Sequence, residues 1–291
     1  MQKIKKILIK IKEKTFKIGG YVFVVLVLGL VSYSSFLIIL NEPSDIANEP
    51  SDDKSGGFED CNVAGINLHG GLMTYIPQHA EGDTDFDYDV SASEDIMWMI
   101  DQANEDPNIK AIILEVDSGG GSGVAGEEIS NAVENSEKPV VAFIRDIGLS
   151  ASYWAISGVD KIFASKNSDI GSIGVTMSYL DNVVRNKKEG YTYEQLSSGK
   201  YKDSGNPDKP LNDEERAIFL RDVNIMHQNF IEAVSKNRKI PIKKVREFSD
   251  GSTVMGEQAI ELGLIDQIGG INEVEKYIEG QIGEKPEICW Q

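Results

Sequence analysis

Twice between Ala111 and Gly174 a short apolar strand runs straight into a turn of very small residues. Ala111-Ile-Ile-Leu-Glu-Val116 leads into Asp117-Ser-Gly-Gly-Gly-Ser-Gly123, and Val140-Val-Ala-Phe-Ile144 leads towards Gly148-Leu-Ser-Ala-Ser152. Each turn opens a helix-like stretch. Uniformly apolar strands alternating with helices predict an α/β fold with a parallel sheet buried on both faces and right-handed crossovers. The same geometry carries chemistry. A strand that ends in glycines bares N–H groups at the start of a helix, where they can meet developing negative charge, and the second turn sets a hydroxyl, Ser150, beside them. This is the outline of an acyl-transfer site.

Around these units, Val63–Leu68 reads as a first strand ending in His69-Gly-Gly71, and residues 80–93 read as an acidic loop. The stripe Ile96, Met97, Ile100, Ala103 predicts a helix over Ser93–Asn104, with Ser93 as its N-cap. Helices are predicted over Gly126–Glu134 and Ala151–Ser157, with a strand at Lys161–Ala164. A long amphipathic pattern over Asp213–Arg238 is followed by helices near Ile242–Phe248 and Gly256–Leu262.

The ends of the chain are of another kind. No charge occurs from Ile18 to Asn41, and the apolar run Tyr21–Leu40 suits a hydrocarbon core of ~30 Å. It exceeds the ~7–15 apolar residues of a cleaved secretory signal and lacks an Ala-x-Ala site. Seven lysines against Glu13 precede it, so the positive-inside rule predicts a cytoplasmic N-terminus and an exported C-terminal body in the cell (inner) membrane. The division expected is a basic cytoplasmic segment at 1–18, a membrane anchor in contact with lipid at 19–41, an acidic Pro/Ser linker at 42–58, and a folded domain at 59–291. With the whole chain at −18 and residues 1–18 at +6, the other 273 residues stand at −24, which argues against nucleic acid as a partner. Cys61 and Cys289 lie near the two ends of the exported body, placed either to form a disulfide or to remain as two thiols.

A series of motifs in order carries a family resemblance. It runs through Asp106-Pro-Asn-Ile-Lys-Ala-Ile-Ile-Leu-Glu-Val-Asp-Ser-Gly-Gly-Gly121, Ser150-Ala-Ser-Tyr-Trp-Ala-Ile-Ser157 with Asp160-Lys-Ile162, and Ile170-Gly-Ser-Ile-Gly-Val175. It continues in Ser198-Gly-Lys-Tyr-Lys-Asp203, Leu211-Asn-Asp-Glu-Glu-Arg216 and Asp250-Gly-Ser-Thr-Val-Met-Gly-Glu-Gln-Ala259, to Gly263-Leu-Ile-Asp266. Over most of residues 60–275 the chain resembles the signal peptide peptidase A (SppA) family of membrane-bound serine proteases, relatives of ClpP and the crotonases. The resemblance implies a repeated ββα spiral domain behind one transmembrane helix. It also implies a Ser-Lys dyad acting on signal peptides or other membrane-associated peptides, and a homo-oligomer in which serine and lysine come from neighbouring subunits. No cofactor is implied.

Carried onto this sequence, the family pattern makes Ser150 the nucleophile, Lys202 the general base, Ser172 the residue that orients the lysine amine, and Gly120 an oxyanion donor aided by the backbone beside Ser150. A lysine base has to be desolvated to lose its proton near neutral pH. Ser152 is the fallback nucleophile and Lys200 a decoy two residues from Lys202. The family's glycines after the serine are Ala151 and Ser152 here, and its Ser-Pro-Gly-Gly turn is Ser118-Gly-Gly-Gly121. These departures keep open a catalytically lapsed membrane scaffold, and the shared oxyanion turn keeps open a crotonase-type acyl-transfer enzyme. A histidine base would have to be His69, His79 or His227, and no Gly-x-Ser-x-Gly elbow accompanies them.

Overall fold

The computed structural model describes Phe58, residues 60–76 and residues 89–291, all within the unit Gly57–Gln291. The expected basic segment, the anchor, residues 42–57 of the linker and His79 lie outside the described residues. Among the described residues no helix is long and apolar enough to cross a membrane.

The sheet is built on β1 (Val63–Met73), β3 (Ala111–Gly121), β4 (Val140–Leu149) and β5 (Lys161–Ala164), all parallel. The short β2 (Val90–Ala92) pairs with β1 at one side, and β8 (Gln267–Ile268) closes the other side on β5. β6 (Asp169–Gly171) pairs with the end of β4 and, antiparallel, with β7 (Thr253–Met255). The central strands bury both faces, as their composition demands. Ile112, Leu114, Ala142 and Ile144 join the core that includes residues of α1 (Ser93–Glu105), α2 (Gly123–Glu134) and α3 (Ala151–Ile156). The intervening Ala111, Ile113 and Val141 pack with Val274 and Ile278 of α8 (Ile271–Ile282). A period of two thus feeds two cores, each fully buried aliphatic side chain contributing ~1.5–3 kcal/mol.

The small-residue stretches expected as turns are instead paired, extended backbone. Register shifts between His69 and Gly71, and between Val116 and Ser118, let β1 and β3 continue past an irregularity, so that Gly71 pairs with Gly120 and Ser118 with Gly148. A bulge bends a strand without ending it. The acidic loop likewise ends in β2, and Ser93 is not the cap of α1. The cap is Ala92, while the Ser93 hydroxyl donates to Glu128 Oε2 on α2 (2.5 Å).

Farther along lie α4 (Val183–Glu189), which the sequence pattern did not signal, and α5 (Asp213–Asn237), started by a capping box between Asn212 and Glu215. α6 (Ile242–Glu247) and α7 (Gly256–Leu262) follow as expected. β9 (Ile288–Trp290) returns to pair with the start of β1, and a Cys61–Cys289 disulfide joins the two strands' neighbourhoods (Cα–Cα 5.9 Å).

Candidate active site

Ser150 stands where β4 passes into α3, with φ 53° and ψ −126°. Its N–H donates to Gly171 O (2.8 Å) and its carbonyl accepts from Trp154 N–H (3.0 Å), which clamps the junction from both sides. The side chain makes no capping bond, and its hydroxyl has no hydrogen-bond partner among the described residues. A non-glycine residue in this sparsely populated region is strained, and such strain gathers at functional sites. Ser152, two residues on, is its opposite. It is fully buried, its hydroxyl lies 2.8 Å from Ser118 O and 2.7 Å from Leu149 O, and it accepts the Leu149 N–H (2.9 Å). Ser152 is a brace for the junction.

Gly120 of β3 lies directly against Ser150. A Cβ added there would meet Leu149 O at 2.7 Å, Ser150 Cβ at 2.8 Å and Ala151 N at 2.9 Å, and its φ of +91° is in glycine's territory. Its N–H donates to Ser118 Oγ (3.1 Å), and that hydroxyl donates in turn to Gly70 O (2.7 Å). The Gly120 amide can serve an oxyanion only by exchanging this bond. The Ala151 N–H, in the first turn of α3 where amides lack intrahelical partners, has no such competitor among the described residues.

Ser172 follows β6 at φ 49° and is held by the 250–252 loop. Its N–H donates to Ser252 O (3.1 Å) and its hydroxyl to Gly251 O (3.0 Å), while Gly251 N–H donates back to Ile173 O (3.1 Å). In the same loop Asp250 Oδ1 accepts from the Ser252 hydroxyl (2.6 Å) and amide (2.9 Å), which holds its carboxyl below the usual carboxylate range.

Ser150, Ala151 and Ser172 share one cleft of about 590 Å³. Trp154 and Phe230, stacked at 5.0 Å and 9°, both line it. Val124 and Met226 add exposed apolar surface, and Glu127 and Asp250 bring carboxylates. α2 reaches the site because Gly126 has no side chain: a Cβ there would fall 2.5 Å from Ala151 O. Trp154, Glu127 and Met226 were not singled out as site residues from the sequence. The signal for Glu127 was its helical spacing from Gly123, and for Trp154 its place in the Ser150 motif.

Lys202 is not among the cleft's lining residues. It is exposed, in a turn in which its N–H donates to Gly199 O (3.1 Å). Lys200 is committed elsewhere: it pairs with Glu214 (2.6 Å), which together with Tyr201 raises its pKa and keeps it charged. The surrounding segment is tied down by Lys209 on buried Glu215 (2.6 Å) and by Tyr193 donating to Asp203 (2.5 Å). His69 faces Glu115 (3.2 Å), which also accepts from Arg145 (3.1 Å). Neither His69 nor the helical His227 lines the cleft.

The model of peptidase family S49 matches residues 132–283, more than half of the chain. The chain belongs to peptidase family S49. The matched stretch contains Ser150, Ser172 and Lys202, and Gly120 precedes it. Relatives include a provisionally named protease of Methanocaldococcus jannaschii, 32% identical over 62% of this chain and 59% of that protein. A provisionally named signal peptide peptidase SppA of Enterococcus faecium is 32% identical over 60% of this chain and 52% of that one. Protease 4 of Haemophilus influenzae is 26% identical over 90% of this chain and 40% of that one. The S49 chain therefore spans about half the length of the curated relatives it matches.

Proposed function

We propose that this S49 chain is a membrane-anchored serine endopeptidase that cleaves signal peptides or other membrane-associated peptides with a Ser150–Lys202 dyad. The observation that carries the reading is the Ser150 hydroxyl, uncommitted at a strained strand-to-helix junction inside an apolar cleft. Ser150 Oγ attacks the scissile carbonyl carbon while its proton passes to Lys202 Nζ. The oxyanion is met by the Ala151 N–H and, once released from Ser118, by that of Gly120. Collapse of the tetrahedral intermediate breaks the C–N bond, and the Lys202 ammonium gives its proton to the departing amine. Water then repeats the sequence on the acyl-enzyme. Ser172, fixed by the 250–252 loop, is the residue that orients the Lys202 amine.

The lysine in this scheme comes from a second copy. Support comes from the position of Lys202, exposed and outside its own chain's cleft, where docking against a neighbour supplies the burial that a lysine base needs. The segment that leads into Lys202 exposes apolar side chains of the kind that oligomer contacts cover, Leu180 at 83% and Leu196 at 90%. Export of the domain agrees with the Cys61–Cys289 bridge, since disulfides persist in oxidising compartments.

The test uses the full chain in detergent with a fluorogenic peptide. Ser150→Ala and Lys202→Ala each abolish turnover, and Lys200→Ala does not. Mixed oligomers of the two dead variants regain part of the activity through sites holding one intact serine and one intact lysine. Turnover that persists in Ser150→Ala would overturn the nucleophile, and absence of rescue in proven mixed oligomers would overturn the shared site.

A further inference from the structure

We propose that the cleft beside Ser150 selects a substrate side chain that is apolar along its stem and cationic at its tip, with Glu127 as the specificity-determining residue. The inference rests on the reading of Ser150 as nucleophile. It concerns what the neighbouring surface recognises.

The lining falls into two parts. Trp154 and Phe230 are nearly buried, 7% and 2% exposed, and offer a flat stacked apolar surface, with Val124 and Met226 extending it towards solvent. Glu127 and Asp250 supply negative charge, and among the described residues no lysine or arginine of the same chain lines the cleft. Glu127 lies three residues after Val124 and four after Gly123 on α2, so it shares their helix face. The close approach of α2 at Gly126 to Ala151 keeps that face beside the nucleophile.

Glu127 is also uncommitted. Other carboxylates near it on α2 have partners: Glu128 accepts from Ser93 and Glu134 pairs with Lys236 (2.6 Å). Glu127 forms no ion pair or hydrogen bond among the described residues. Asp250 stays ionised because both the Ser252 amide and hydroxyl donate to it, so a cation entering the cleft meets a second fixed charge. Long basic side chains bury an aliphatic stem and keep the charged head at the rim, which matches an apolar surface edged by carboxylates. A glutamate in the same place would be repelled.

The test measures kcat/KM of the full chain on peptides identical except at the residue preceding the scissile bond, which is lysine, glutamine or glutamate. The lysine peptide is expected to exceed the glutamine peptide about three- to fivefold, the scale of a half-open ion pair, and the glutamate peptide by more. The preference shrinks as salt rises. Glu127→Gln removes most of it and Glu127→Lys reverses the order of lysine and glutamate, whereas Glu279→Gln, a charge change on α8, leaves the ratio as it was. Equal rates for lysine and glutamate, or a ratio untouched in Glu127→Lys, would overturn the proposal. Binding of the same peptides to Ser150→Ala, read by fluorescence anisotropy, gives the ratio without turnover. Turnover that persists in Ser150→Ala with the charge preference intact in binding would sink the nucleophile and spare Glu127, while cleavage lost in Ser150→Ala with no charge preference in the parent chain would do the reverse.

Discussion

Replacing Ser150 by glycine is expected to stabilise the protein relative to replacing it by alanine, and both variants are expected to be inactive. The backbone at this position, φ 53° and ψ −126°, is fixed by the bond from its N–H to Gly171 O and by the bond from Trp154 N–H to its carbonyl. It is not free to relax when the side chain changes. Holding a residue with a Cβ in so sparsely populated a region costs ~1–3 kcal/mol. Glycine escapes that cost and gives back ~0.5–1 kcal/mol through the greater freedom of its unfolded chain. The net advantage of glycine over alanine is about 0.5–2 kcal/mol, or a rise in Tm of about 1–8 °C for a domain of this size. Thermal and urea unfolding followed by tryptophan fluorescence measures it, since Trp154 lies four residues away in the core. Ser152→Ala provides the contrast. Removing its hydroxyl strands the Leu149 N–H in a buried site, which costs ~1–3 kcal/mol, while turnover survives. If alanine at 150 proves as stable as glycine, the junction holds no strain and the reasoning fails.

Two other perturbations test the scaffold. Replacing Cys61 and Cys289 together by alanine, or reducing the bond, opens a crosslink between residues 228 apart and is expected to cost about 5 kcal/mol by loop-closure entropy; a loss below about 1 kcal/mol in urea unfolding would mean that β9 pairing alone holds the ends. Glu215 is held below the usual carboxylate range chiefly by the hydrogen bond from Lys209, against the opposing effect of burial. Because its pKa is lower folded than unfolded, its contribution is complete above the ordinary glutamate value of ~4.3 and is lost as pH falls through the lowered folded value. Hydrogen exchange over residues 193–215 should show protection lost in that acid window, and a Glu215→Gln variant with the same acid dependence would refute the assignment.

The alternation of apolar strands and helices was legible in the sequence because buried parallel strands are recognisable by composition alone: β3, β4 and β5 and the helices after the first two lie where the pattern puts them. α4, α8 and β6 to β9 were not read. Several of these are only two or three residues long and exist because a longer strand is there to pair with, so no local signal marks them. The order of motifs also pointed to the family, since each motif is a local requirement of turn and packing. Which serine faces the cleft was a different matter. Ser150 and Ser152 are chemically alike and two residues apart, and what separates them is the positive φ at the first and the three polar neighbours that enclose the second. The glycine stretches read as turns because nothing in their composition reveals a bulge, which depends on the register of the adjacent strand. The carboxylates of the cleft were equally silent. Glu127 and Asp250 lie 123 residues apart in the chain, and only the packing of α2 on α3 and of the 250–252 loop on Ser172 brings them to one surface. Chemistry-bearing residue types and their local frames are properties of the sequence; their convergence is a long-range event, decided by which surfaces the folded sheet and helices leave facing one another.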